Sequence, residues 1–218
     1  MTTWDIIQAH LPEALLETLY MVVVATVVGI VLGGLLGVLL YVTESRLLHA
    51  NRAVNAIVGF IVNAIRSLPF LILLVVLIPV VTFFVGDPYT PTGGAIALCV
   101  AAIPFFARIS ESAFAQVDPG IVEASVSTGA TVPQILWGAV FPQARPSLVR
   151  GIVITIISLI GSSAMVGTIG AGGIGDMAIQ YGYNRYETGV LAVIVVILIV
   201  IVQVIQWIGN RRAKALTH

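Results

Sequence analysis

The sequence predicts an all-α integral membrane protein of five transmembrane helices, with a helical segment at one aqueous face between the third and the fourth. Hydrophobic residues make up 59% of the 218 and charged residues 9%, and the mean hydropathy is +1.08. A soluble domain needs about a quarter of its residues charged to keep its surface wetted. Crossing a hydrocarbon core of about 30 Å takes roughly twenty apolar residues at 1.5 Å per residue. Stretches of that kind lie between Glu17 and Glu44, Arg66 and Asp87, Asp87 and Arg108, Arg150 and Asp176, and Glu187 and Arg211.

The first span is expected at about 18–43, in a single domain covering 1–218. Met1 to Asp5 is acidic and the first Arg is Arg46, unlike the basic start of a cleaved signal, so this segment is expected to stay in the mature chain. Within it Gly29, Gly33 and Gly37 repeat every four residues, the spacing that lets two helix backbones approach closely in lipid.

The second span is expected at about 67–86, with kinks at Pro69 and Pro79, each of which removes a backbone donor. Ahead of it Val54, Ile57, Val58, Ile61, Val62 and Ile65 recur at helical spacing, either as an amphipathic helix in the interface or as an early start to the span. Asp87-Pro88-Tyr89-Thr90-Pro91 turns the chain into a third span at about 93–112. The fourth is expected at about 151–175. Gly182-Tyr183-Asn184-Arg185 then leads to a fifth at about 188–210.

Alternating these helices puts Arg46, Arg52, Arg66, Arg108, Arg145, Arg150, Arg211, Arg212 and Lys214 on one side and leaves Arg185 alone on the other. The positive-inside bias makes the richer side cytoplasmic, so the amino terminus is expected outside and the carboxyl terminus inside. Trp4, Tyr89, Tyr181 and Tyr183 suit the outer interface, and Trp207 the inner one.

Several function classes are excluded or unsupported. Ten acids balance ten bases, which gives no global positive field, so no nucleic acid partner is expected and the partners are sought in the membrane. Cys99 is the single cysteine and forms neither an intrachain disulfide nor a thiol metal cage; it reads as a small buried hydrophobe. His10, His49 and His218 lie outside the spans, so no catalytic or metal cluster forms in the bilayer, and no cofactor is expected. A P-loop needs a lysine after its glycines, and the only lysine is Lys214, so this chain is expected not to be an enzyme that hydrolyses ATP. Gly170, Gly172 and Gly175 spell G-x-G-x-x-G, but they close a hydrophobic span instead of following a strand; they read as a flexible or tight outer turn.

The segment from Arg108 to Arg150 is longer than a connection requires and is patterned. Asp118 and Pro119 start a short helix and Gly129 stops it. Thr131-Val132-Pro133-Gln134 reads as a capping box for a second short helix, whose Ile135, Leu136, Trp137, Val140 and Phe141 supply an apolar face before Pro142 ends it. Periodicity alone leaves two readings open, an interfacial connector and a lever that touches a partner.

Glu123-Ala124-Ser125, Gly129 and Pro142 stand at the spacings of the E-A-A, G and L-P elements in the loop of ABC importer permease subunits. Ser125 stands where that pattern usually has Ala, Ala139 where it has Ile and Phe141 where it has Leu. The resemblance extends over nearly the whole chain and is closest to the methionine importer branch of type I permeases. Asn63-Ala64-Ile65-Arg66-Ser67-Leu68-Pro69-Phe70, Ser163-Ala164-Met165-Val166-Gly167, Gly170-Ala171-Gly172-Gly173-Ile174-Gly175 and Tyr181-Gly182-Tyr183 carry it.

The resemblance implies that residues 118–142 form a coupling helix segment docking on a cytoplasmic ATPase, with Glu123, Ala124, Ser125, Gly129 and Pro142 as its coupling residues. It further implies two copies of this subunit, two copies of the ATPase and an extracytoplasmic lipid-anchored methionine-binding protein, all at a bacterial cytoplasmic membrane. The fourth span is densest in small and hydroxyl side chains. Ser162, Ser163 and Met165 are the candidate pathway residues, Met165 being adaptable enough to narrow a closed pore. The alternatives are a permease for another amino acid or small solute, because substrate choice in such systems rests largely with the outer binding protein, and a stand-alone channel, which needs neither an ATPase nor a lever.

Overall fold

The structure, a computed structural model, describes residues 3–216, and every regular element in that range is a helix. Helix α1 runs Thr3–Glu44, well beyond the expected first span, because its amino-terminal part has a core of its own. There Ile6, Ile7 and Ala14 pack on Ile174, Met177, Val190 and Ile194. A single π-type turn at Gly29–Gly33 interrupts the α pattern without ending the helix.

Helix α2, Arg52–Ser67, is capped by Asn51, whose side chain accepts from the Val54 amide at 3.1 Å. Helix α3, Phe70–Val85, follows at 108° to it. The cause is Pro69. It offers no N–H, and its ring pushes the preceding residue out of the helical region; Leu68 accordingly sits extended at φ −80°, ψ 131°. The amphipathic stretch ahead of Pro69 is therefore a separate helix, not an early start to the second span. At Pro79 the helix is not interrupted.

Helix α4, Pro91–Ala115, starts at Thr90, whose hydroxyl accepts from the Gly93 amide at 3.2 Å with Pro91 in the first turn. Helix α5 is Pro119–Ser127 and α6 is Val132–Gly167. Pro142 does not end a short helix, contrary to the sequence expectation. Leu136–Val140 forms a π-type turn in which the Phe141 amide donates to the Leu136 carbonyl, one residue wider than usual, and the helix continues through Pro142 to Gly167. A bulge of that kind absorbs the missing proline donor. The expected fourth span thus stops eight residues early: 168–172 is a turn, and 173–183 a short helix, α7. Helix α8 is Thr188–Ala215.

Four of these helices, α1, α4, α6 and α8, are long and apolar enough to cross a bilayer among the described residues, and the bent pair α2–α3 is the fifth candidate. Helix α4 sits at the centre, with α1, α2, α3 and α6 packed around it. The main core joins Met21, Val22 and Ala25 to Leu98 and Ala102, and to Leu159, Ile160 and Val166. The glycine repeat in α1 is a packing face within one chain: a Cβ at Gly29 would meet the Ala102 Cβ at 2.8 Å, and one at Gly37 would collide with Ser110 and the Ala107 carbonyl. Outward faces remain apolar, with Leu16, Val23, Val27 and Leu35 of α1, Phe83 of α3 and Val196, Ile199 and Val200 of α8 exposed, as a lipid-facing surface requires.

Candidate functional site

One end of the bundle carries an elbow built from α5 and the start of α6. Asp118 opens α5 by accepting from the Gly120 amide at 2.8 Å, with Pro119 at the first position. The helix closes on a Schellman motif: the Ala130 amide donates to the Ser125 carbonyl at 3.1 Å and the Gly129 amide to the Val126 carbonyl at 2.9 Å. That motif needs a left-handed residue, and Gly129 supplies it at φ +80°. The chain then re-enters a helix through the expected box, the Thr131 amide donating to Gln134 Oε1 at 2.8 Å.

The elbow has a buried side and an open side. Val122, Ile135, Leu136 and Val140 pack with Phe114, Val117 and Ala144, and against Val38, Tyr41 and Val42 of α1. On the open side Glu123, Ala124, Val126, Ser127, Thr128 and Gly129 are exposed. Ser125 is half-buried and returns its hydroxyl to the Ile121 carbonyl at 2.8 Å, while Pro142 is half-buried inside α6. The carboxylate of Glu123 forms no hydrogen bond or ion pair among the described residues.

Trp137, which the sequence places on an apolar face with Ile135, Leu136, Val140 and Phe141, stands apart from the buried members of that face. It is 72% exposed and lies flat on Phe141, centroids 4.8 Å apart. Phe141 meets Phe114 edge-on at 5.0 Å, and Phe114 leans on Tyr41 at 5.8 Å. A row of rings thus runs from the surface of α6 through α4 into α1. The π-type turn at Leu136–Val140 rotates Trp137 outward, and no local sequence signal marks such a turn.

A second feature lies along α4 and α6. Ser162 lines a cavity of about 220 Å³ with Ser158, Leu159, Ala101, Ala102, Phe105, Phe70, Leu73 and Arg66. A neighbouring cavity of about 330 Å³ shares Arg66 and adds Arg108, Ser112, Gln116, Ser147 and Arg150 toward the elbow end. Of the other two pathway candidates, Ser163 is buried with its hydroxyl on the Ile160 carbonyl at 2.8 Å, and Met165 is 45% exposed one turn from the end of α6. Arg108 locks this region: it donates to Glu111 at 2.7 Å, to Asn63 at 3.2 Å and to the Gly59 carbonyl at 3.2 Å, tying α2 to α4. The i, i+3 spacing of Arg108 and Glu111 is the sequence signal for that pair.

At the opposite end the glycine-rich turn docks on α1. The Gly173 amide donates to Glu17 Oε2 at 2.6 Å and the Ile174 amide to Thr18 Oγ1 at 2.8 Å, so a carboxylate from α1 occupies the amino end of α7. Gly172, at φ +83°, lies against that carboxylate, the close approach that glycine permits.

Comparison with known proteins gives the family and the fold. Residues 25–216 match the family described as binding-protein-dependent transport system inner membrane component. The chain is 45% identical over 202 residues to the probable D-methionine transport system permease protein MetI of Vibrio cholerae, covering 93% of this chain and 90% of that protein. It is 42% identical over 194 residues to the methionine import system permease protein MetP of Bacillus subtilis, covering 89% and 87%. A solved structure of the MetNI methionine ABC transporter in inward-facing conformations superimposes with a TM-score of 0.92 at 41% identity, over 95% of this chain and 96% of that one. An amino acid ABC transporter solved with histidines shares the fold, with a TM-score of 0.76 at 23% identity.

Proposed function

The chain belongs to the family of binding-protein-dependent transport system inner membrane components, and from that premise we propose how it works as the permease subunit of an ATP-driven methionine importer. It forms the translocation pathway and leaves ATP hydrolysis to a separate subunit. Two copies of the chain pair around the pathway, two ATPase subunits sit at the elbow end, and a lipid-anchored methionine-binding protein delivers substrate at the glycine-turn end.

The observation that carries this reading is the elbow: a short helix held by a cap, a Schellman motif and a capping box, backed by a packed core and open on its other face. Such an element costs little to keep in place and presents a fixed surface to a partner. Residues 118–142 act as the coupling segment. Glu123, Ala124, Ser125 and Gly129 meet the ATPase, and Pro142 sits in the helix that carries the displacement onward. A partner's movement then passes through Trp137, Phe141 and Phe114 into α1 and α4, which border the pathway. Moving a two-state gate from 1:99 to 99:1 takes about 5.5 kcal/mol of differential binding, which a docked helix is able to transmit.

The chain crosses the membrane five times, with the amino terminus outside. Helix α3, at 16 residues, spans about 24 Å as a helix and extends through Pro69 and Gly86. The bent α2 lies in the inner interface. The elbow end gathers Arg46, Arg52, Arg145, Arg150, Arg211, Arg212 and Lys214, against Arg185 at the other end, which supports a cytoplasmic elbow. Of the three pathway candidates, Ser162 and Met165, three residues apart, share the pathway side of α6, and Ser163, buried with its hydroxyl on the Ile160 carbonyl, backs them from the packed side. The test is uptake of labelled methionine into proteoliposomes holding the permease, its ATPase and its binding protein. ATP-dependent accumulation is expected; ATP-independent flux would make the chain a channel instead.

A further inference from the structure

The serines and threonines of the long helices divide into two groups. Thr155 and Ser163 of α6 and Ser110 of α4 return their hydroxyls to carbonyls one turn back, at 2.8, 2.8 and 2.9 Å. The hydroxyls of Ser158, which is exposed, and Ser162, which is half-buried, do not; neither hydroxyl forms a hydrogen bond among the described residues, and both residues line the cavity of about 220 Å³ between α3, α4 and α6. The Arg66 side chain is exposed at the edge of the same cavity and forms no hydrogen bond or ion pair among the described residues, its charge acting on Glu111 only at longer range. Its neighbour Arg108 differs, with its guanidinium taken up by Glu111, Asn63 and Gly59.

A cation beside two uncommitted hydroxyls, with apolar walls from Phe70, Leu73, Phe105 and Leu159, is a divided environment. The polar edge fits a carboxylate, which a guanidinium binds through paired charge-assisted bonds, and the apolar walls fit an uncharged side chain. The volume is below the range usual for drug-sized ligands and suits a single small amino acid. Arg66 is exposed in the last turn of α2, so its charge stays open to water and to an anion entering the cavity. Arg66 also borders the second cavity, where the Arg150 side chain is the next cation with no hydrogen bond or ion pair among the described residues.

We propose that Arg66, with Ser158 and Ser162, forms a station that holds the carboxylate of the amino acid in transit and passes it toward Arg150. Arg66 is thus a specificity-determining residue of the pathway itself, separate from the selection made by the outer binding protein. The inference rests on the permease reading above and deepens it.

The test uses the complete transporter in proteoliposomes, in a Cys99→Ala background, with Arg66→Gln, Arg66→Lys and Arg66→Cys compared with the Arg66 parent at saturating binding protein. Maximal methionine uptake falls by about tenfold to a hundredfold in Arg66→Gln, the size of losing one charge-assisted bond, and recovers in part in Arg66→Lys. The Arg66→Cys carrier labelled after assembly by a cationic methanethiosulfonate regains uptake, whereas the anionic reagent leaves it low. ATP hydrolysis stays at the parent rate throughout. Parent-level uptake in Arg66→Gln, or equal responses to the two reagents, would overturn the station while leaving the permease reading intact. Absence of ATP-dependent uptake in the parent itself would overturn the permease reading, and the station with it.

Discussion

Replacing Gly129 tests the elbow with a magnitude that follows from its backbone. At φ +80° an L side chain suffers contact between its Cβ and the local backbone, costing about 1–2 kcal/mol, and a β-branched residue is worse because its rotamers are also restricted. A Cβ at this position meets nothing within 4 Å, so the cost is purely conformational and does not reflect a clash with the bundle. Gly129→Val should therefore cost about 2–3 kcal/mol of elbow geometry, roughly thirtyfold or more in the population that keeps the Schellman motif. Gly129→Ala should fall between Val and the parent, and Gly129→Asn close to the parent, since Asn tolerates the left-handed region. The assay is methionine uptake per ATP hydrolysed in the reconstituted transporter, with thermal unfolding in detergent as a control for the bundle. Coupling should fall in the order Gly, Asn, Ala, Val at unchanged bundle stability. Equal coupling in all four, or Asn as damaging as Val, would show that the left-handed turn has no part in coupling.

Glu123→Lys reverses an exposed charge that has no partner among the described residues, so uptake should be lost while the isolated permease unfolds at the parent temperature; uptake at the parent level would count against the docking surface. Arg108→Met leaves Glu111, 8% exposed, without its cation and frees α2 from α4, costing about 3 kcal/mol; a melting temperature within error of the parent would contradict the tie. Gly37→Leu drives a side chain into Ser110 and the Ala107 carbonyl and should abolish folded protein, whereas Gly34→Leu, facing only Phe106 at 3.7 Å, should be recovered in size-exclusion profiles. Glu17→Gln weakens the charge-assisted cap on Gly173 and should speed amide exchange in residues 173–177, by an amount corresponding to about 1 kcal/mol.

What the sequence made legible is what short-range chemistry controls. The glycine repeat at 29, 33 and 37 marked a close helix contact because backbone approach needs the absence of a side chain, and the partner turned out to be α4 of the same chain. Asp118, Gly129 and the Thr131–Gln134 pair announced the elbow because caps are local. Pro69 announced a break but not its size, 108°, because the direction α2 takes is a matter of long-range packing, in which Arg108 ties it to α4 across 45 or more residues. Pro142 was misread as the end of a short helix, and the exposure of Trp137 was not foreseen. The π-type turn at Leu136–Val140 adds a residue to the helical count, which rotates the tryptophan outward and lets the helix run through the proline. The uncommitted state of Ser158 and Ser162, against the bonded state of Thr155 and Ser163 in the same helix, is set by the space beside them and has no sequence signature.

The central claim, that the elbow is where a separate ATPase engages this permease, is tested most directly by placing a photocrosslinking residue at Glu123, at Trp137 and at Tyr183 in the assembled transporter and identifying what each captures. The account predicts adducts with the ATPase at the first two positions and none at Tyr183, which lies at the opposite end of the bundle. Capture of the ATPase at Tyr183, or its absence from both elbow positions, would contradict it.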